Sequence, residues 1–249
     1  ARLLGVPDSM ENQLLNWSND MVKMYQAEKS KKIQRLAITS TKNFTQFMRS
    51  YVEERRAKPS NDLISHLISV EEEGKRLNTE ELISNCILLL NAGHEATVHT
   101  LGNGIKILLE NKPDYICLDD ENLDATIEEI LRFDPPLHIF NRYAYQAMDI
   151  GEHQLHRGSQ IALILGATGR DPSVWNKPNC FDPFRKIKTN TAFGAGIHFC
   201  LGAPLARMEL KIAISELFRR CPNLRLKGIP KYANIYHFRG LEKLIVSKN

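Results

Sequence analysis

The sequence predicts a mainly α-helical fold with small β-sheets. Apolar residues recur at helical spacing through most of the first 133 positions. The texture then changes to alternation with turn glycines between residues 142 and 165, and a glycine-rich turn leads into a last apolar-periodic helix. Met10 to Glu28, Lys31 to about Arg56 and Asp62 to Glu73 read as helices, with Lys58-Pro59-Ser60-Asn61 and Gly74 as breakers. Asn78 with Glu81 three residues later makes a capping-box start. No proline follows until Pro113, so one helix from Thr79 to Asn111 is predicted, about 50 Å long at 1.5 Å per residue. A further helix covers Leu123 to Phe133 and stops before Pro135-Pro136. Arg142 to Leu165 reads as short hairpin strands turning at Gly151 and Gly158. An irregular stretch from Gly166 to Thr191 follows, then the glycine turn and its helix, with Leu201, Leu205, Met208, Ile212 and Leu217 as its apolar positions. Leu224 to Val246 returns to short strands.

Composition bounds the function. A 249-residue chain with 43% hydrophobic and 25% charged residues is long enough to bury a sizeable core. No repeat or Gly/Ser-rich linker divides it, so residues 1–249 are read as one domain. The net charge of +4 comes without a Lys/Arg block interleaved with aromatics, which excludes a nucleic-acid reading. The longest apolar run, Cys86 to Leu90, is too short to span a membrane. Five cysteines, odd in number and without CxxC spacing, suit a reducing cytoplasm. The chain opens at Ala1 without an initiator methionine, so what precedes it is not read.

Phe193-Gly194-Ala195-Gly196-Ile197-His198-Phe199-Cys200-Leu201-Gly202 carries the chemistry. It sets one sulfur at the N-terminus of a helix, where the macrodipole and unpaired first-turn amides favour thiolate, the metal-binding form. The glycines let backbone approach a large flat ligand closely, and His198 is placed to donate to an anionic edge of it. The plain alternative for a lone cysteine is a buried, unreactive side chain.

This run, followed by Ala203-Pro204-Leu205-Ala206-Arg207, resembles the haem-binding signature of the cytochrome P-450 monooxygenases, soluble bacterial type. The resemblance covers the C-terminal portion of that family's fold, with its N-terminal part missing. It implies haem b, with Cys200 as the proximal iron ligand whose thiolate favours O–O cleavage, and Phe193, Gly194, His198 and Gly202 around it. It also implies O2 as co-substrate, NAD(P)H as the indirect electron source, a ferredoxin or flavodoxin-type donor with its reductase, and an apolar small-molecule substrate.

Asn91-Ala92-Gly93-His94-Glu95-Ala96-Thr97 resembles the family's oxygen-binding motif. Ala92 and Gly93 match positions that make room for oxygen, and Glu95 matches the acid that relays protons. The hydroxyl expected next is replaced by Ala96, and Thr97 lies one position on, about 100° around the helix. Protons are then expected through ordered water, a substrate hydroxyl or Glu95 itself, with more leakage to peroxide. A zinc reading of His94-Glu95 with His99 fails on spacing, since five residues turn the second histidine roughly 140° from the first.

Glu129 and Arg132 form an ExxR pair, by itself an ordinary surface pair. Phe181-Asp182-Pro183-Phe184-Arg185 resembles the segment that adds a second arginine to the family's structural Glu-Arg-Arg network. Arg142 matches a haem-propionate position, where guanidinium can donate two parallel hydrogen bonds. Arg185, Lys186, Lys188, Arg207, Lys211, Arg219 and Arg220 make either a docking patch for an acidic electron donor or a solvated face. The competing class is a non-catalytic haem-binding remnant or a haem-thiolate sensor.

Overall fold

The computed structural model describes residues 2–26, 29–72, 77–234 and 237–248. Cα packing divides the chain into two units, Ala1–Glu95 and Ala96–Asn249.

In the first unit the buried positions trace helical stripes. Helix α1 (Glu11–Val22) buries Leu14, Ser18 and Val22 at four-residue intervals. It ends there because Gln26, the next position on that stripe, has nothing apolar to bury. The chain tightens into a 3-10 turn over Lys23–Tyr25 instead of continuing to Glu28, which lies outside the described residues. Helix α2 (Lys31–Ala57) starts at Ser30, whose hydroxyl accepts the Ile33 N–H at 3.2 Å, and stops ahead of Pro59. Its buried side, Ala37, Ser40, Phe44, Met48, Tyr51 and Val52, packs against α1, α3 (Leu63–Glu72) and α4 (Thr79–Ala92). Of these, Phe44, Met48, Tyr51 and Val52 form one continuous core with Ile64, Ile68, Leu82, Ile83 and Cys86. Each large aliphatic side chain buried there contributes roughly 1.5–3 kcal/mol relative to exposure. The Asn78/Glu81 capping box is present, with both arms at 2.9 Å.

The predicted long helix is two. Helix α4 closes at Ala92, and α5 (Glu95–Asn111) begins after a turn over Gly93 and His94. Glycine costs a helix interior about 1 kcal/mol against alanine. Gly93 here serves as the C-cap of α4, its N–H on the Leu89 carbonyl at 3.1 Å; a Cβ would stand 2.8 Å from that oxygen.

The second unit packs α5, α6 (Leu123–Phe133) and α8 (Ala203–Arg220) around Leu108, Ile127, Ile130, Leu131, Leu210, Ile214 and Phe218. Among the described residues three two-stranded antiparallel sheets accompany the helices. Strand β1 (Phe140–Tyr143) pairs with β4 (Gln160–Leu163), β2 (Met148–Ile150) with β3 (His153–Leu155), and β5 (Arg225–Leu226) with β6 (Val246–Ser247). Gly151, at φ +57°, turns the β2–β3 hairpin in the left-handed region that glycine enters without steric cost. A short helix, α7 (Leu165–Thr168), follows β4.

Helix α8 carries apolar residues on more than its buried side. Its buried positions are Ala203, Leu210, Ile214 and Phe218. Of the apolar positions read from the sequence, Leu201 (86% exposed), Leu205, Met208 and Ile212 form an exposed stripe, and Leu217 packs against the core. Both stripes fit helical spacing of three to four residues or a multiple of it, so periodicity alone could not say which faces inward.

Candidate functional site

Residues 191–203 form a closed loop. The Gly194 N–H donates to the Thr191 carbonyl at 2.8 Å, and the Cys200 N–H donates to the Phe193 carbonyl at 2.9 Å. Between them Gly194 (φ +72°) and Gly196 (φ +65°) reverse the chain into a 3-10 turn over Gly196–His198. A Cβ on Gly196 would meet nothing within 4 Å, so its left-handed backbone, not crowding, calls for glycine. Cys200 is half-buried, and its carbonyl accepts the Ala203 N–H at 3.3 Å where α8 begins. Gly202 is the N-cap of α8 and brings no side-chain acceptor to the first turn, so the positive helix end faces the loop uncapped. A Cβ on Gly202 would lie 4.0 Å from the Cys200 sulfur. Phe193 is half-buried, while His198 and Ile197 (97%) are exposed.

Beneath the loop, helix α6 supplies two adjacent carboxylates with different duties. Glu129 and Arg132 are each 2% exposed. Arg132 donates twice to Glu129, both at 2.7 Å, and to the carbonyls of Gly169 (2.5 Å), Pro178 (2.9 Å) and Cys180 (3.2 Å). Arg185 donates to Glu129 at 3.1 Å, and the Asp182 N–H adds a further bond at 2.8 Å. The expected Glu-Arg-Arg network is therefore present, and it pins the irregular 169–185 segment by its carbonyls. Trp175 lies over the Arg132 guanidinium at 5.4 Å. Glu128, which the sequence reading passed over, faces the cysteine loop: it accepts from Arg207 at 2.5 Å and from Asn190 at 3.0 Å. An acid beside Glu129 on the same helix was the available signal, but nothing in the spacing named its partners.

The remaining candidates are dispersed. Arg142 sits in β1 opposite Ile161, half-buried, and donates to the Asn141 carbonyl at 3.0 Å. Among the described residues no carboxylate pairs with it. Ala92, Gly93 and Glu95 stand in the first unit at the helix break, and Thr97 belongs to the second. Burial raises the Glu95 carboxyl above the usual range, opposed by the neighbouring His94. Thr97 is half-buried, and the Thr100 hydroxyl donates to the Ala96 carbonyl at 2.7 Å. His99 packs against the Phe238 ring at 5.5 Å. Of the seven basic residues near the cysteine, five are ion-paired. Arg185 pairs with Glu129, Arg207 with Glu128 and Lys211 with Asp124, while Arg219 and Arg220 share Glu216. Four carboxylates thus answer seven basic side chains, so part of the positive charge near the cysteine is not cancelled. No helix among the described residues is long and apolar enough to cross a membrane.

The cytochrome P450 family profile matches residues 7–116 and 121–228. A biotin biosynthesis cytochrome P450 of Bacillus subtilis (strain 168) is 35% identical over 251 residues, 99% of this chain and 63% of its own length. A steroid C26-monooxygenase of Mycobacterium tuberculosis (strain CDC 1551 / Oshkosh) is 34% identical over 226 residues, 90% of this chain and 61% of that protein. Among solved structures, P450BioI in complex with hexadec-9Z-enoic acid ligated acyl carrier protein superposes with a TM-score of 0.94 at 32% identity. It covers 99% of this chain and 64% of that one. CYP109E1 from Bacillus megaterium in complex with corticosterone gives 0.90 at 34% identity, covering 100% and 68%. The chain thus spans less than two thirds of the length of the curated relatives it matches, and over that span it belongs to the cytochrome P450 family.

Proposed function

We propose that this chain is the haem-binding part of a haem-thiolate monooxygenase that hydroxylates an apolar small molecule. Its electrons come from NAD(P)H through a ferredoxin or flavodoxin-type donor and its reductase, in the cytoplasm. The observation that carries the reading is the Cys200 loop, with a half-buried sulfur at the uncapped N-terminus of α8 and glycines that keep side chains away from it. These features fit haem b: the sulfur is a soft anionic donor, and the open space at Gly196 and beside Gly202 leaves room for a flat macrocycle. When bound, the haem iron supplies reductive activation of O2, with thiolate electron density favouring O–O cleavage.

The chain's own residues then have distinct tasks. Cys200 would hold the iron through its sulfur. Phe193, Gly194 and Gly202 would shape the surface on which the macrocycle rests beside that sulfur. His198 and Arg142 hold the propionates; each is a donor without a competing carboxylate among the described residues. Ala92 and Gly93 leave space at the helix break. Glu95 keeps its proton to higher pH than an exposed glutamate and can release it towards the reacting oxygen, while Thr97 is the nearest hydroxyl in sequence to the missing one. Ala96 favours the second reading, a haem-thiolate binder or sensor with poor turnover, because no hydroxyl follows the acid.

The test is the absorption spectrum of the reduced protein with CO. A thiolate-type band that disappears in Cys200→Ala supports the assignment. Absence of haem uptake, or an unchanged spectrum in the variant, overturns it. Product formed per NAD(P)H, which should rise in Ala96→Thr, separates the enzyme from the sensor.

A further inference from the structure

One carboxylate grips both flanks of the cysteine loop. On the entering side, the Asn190 side-chain Nδ2 donates to Glu128 at 3.0 Å, while the Oδ1 of the same side chain accepts the Ala192 N–H at 3.0 Å. Phe193 follows directly. On the leaving side, Arg207, in the second turn of α8, donates to the other Glu128 oxygen at 2.5 Å. The Arg207 guanidinium also lies over the Phe193 ring at 4.6 Å, a cation–π contact that joins the leaving helix to the entering segment. Phe193 in turn supplies the carbonyl that holds the Cys200 amide. The chain of contacts is closed: Glu128 to Asn190 to the Phe193 backbone to Cys200 to α8 to Arg207 and back to Glu128.

We propose that Glu128 is a positioning residue for Cys200: it fixes the register of Phe193 against the cysteine and so determines whether the sulfur is presented as a metal ligand. Glu129 secures the segment upstream of the loop, and Glu128 secures the loop itself. A carboxylate is required because two donors, one cationic, are bonded to two separate oxygens of a single group. Glutamine keeps one acceptor and turns the other end into a donor facing Arg207, so one arm of the latch must open. The role rests on the haem-thiolate reading for its purpose, but the latch itself is measurable in the unloaded chain.

The experiment compares wild type, Glu128→Gln, Arg207→Lys and the exchanged pair Glu128→Arg/Arg207→Glu by hydrogen exchange with peptide-level mass spectrometry, and then by the reduced CO spectrum after loading with haem b. In Glu128→Gln, exchange of the Gly194 and Cys200 amides should accelerate about tenfold, as losing a charge-assisted bond from a local opening unit implies. Peptides from α2 and α5 should not change. Arg207→Lys should be intermediate, because the charge remains and the planar contact with Phe193 is lost. In the loaded protein, Glu128→Gln should lose at least half of the thiolate-type band with total haem bound unchanged, and the exchanged pair, which restores an ion pair but neither accepts from Asn190 nor stacks on Phe193, should not recover it. Unchanged exchange over 191–203, or acceleration spread equally over the whole chain, overturns the latch. A wild-type chain that takes up no haem overturns the functional reading and leaves the exchange result to judge the latch. Altered exchange with an intact thiolate band shows a loop clamp that does not position the ligand, and overturns the proposal.

Discussion

Replacing Arg132 with methionine is the sharpest test of what holds the second unit together. The side chain fills the space but removes the hydrogen bonds to Glu129 and to the Gly169, Pro178 and Cys180 carbonyls. Glu129, 2% exposed, would keep only Arg185 and the Asp182 N–H. Stranding one member of a buried pair costs about 3–5 kcal/mol. Arg185→Met leaves Glu129 with both Arg132 bonds and the Asp182 N–H, so its cost is about 1–2 kcal/mol, that of a charged hydrogen bond discounted for partial exposure. At a urea dependence of about 2 kcal/mol per molar, the midpoints should fall by about 2 M and about 0.5–1 M respectively. The assay is urea unfolding followed by Trp175 fluorescence in a Trp17→Phe background. Trp175 lies on the Arg132 guanidinium and Trp17 belongs to the first unit, so the signal reports the network's own unit. Arg132→Lys keeps a charge without the planar fork and should fall between the two. Equal shifts for Arg132→Met and Arg185→Met would refute the argument that burial of the Glu129–Arg132 pair sets the energy.

Three further outcomes follow from the geometry. Gly169→Ala would put a Cβ 2.2 Å from the Arg132 carbonyl oxygen, where backbone rather than a flexible side chain must give way; a loss of about 3 kcal/mol in the same urea assay is expected, the upper end for overpacking. Burial pushes the Cys86 thiol up to about 11, so at pH 8 only about one molecule in a thousand is thiolate; iodoacetamide with peptide mapping should label exposed Cys180 long before Cys86, and equal rates would contradict this. Burial also raises Glu95, so the folded chain keeps that proton in a window where the unfolded chain has lost it. Stability therefore falls as pH rises from the ordinary carboxylate range through the folded pKa, and Glu95→Gln should gain on wild type over that interval, read from denaturation midpoints at successive pH values.

The fold was legible where one local signal decided the outcome. The Asn78/Glu81 box and the Phe133 stop before Pro135 matched the structure because capping and proline act over a few residues. The break at Gly93 was visible as a cost but not as an interruption, since a lone glycine is tolerated in many helices and only the packing around it decides. On α8 both faces carry apolar residues three or four apart, so the buried face (Leu210, Ile214, Phe218) and the exposed one (Leu205, Met208, Ile212) look alike in sequence. What separates them is charge at the flanks. Arg207 and Lys211, also four apart, bind Glu128 and Asp124, both in or beside the first turns of α6, and this fixes the rotation of α8. The same two ion pairs account for the failure to see Glu128 as part of the site. Its role exists only once α6 and α8 are side by side, and it follows from the rotation that turns Arg207 towards the cysteine loop. The acid next to it, Glu129, could be named in advance because its first partner lies three residues away on its own helix.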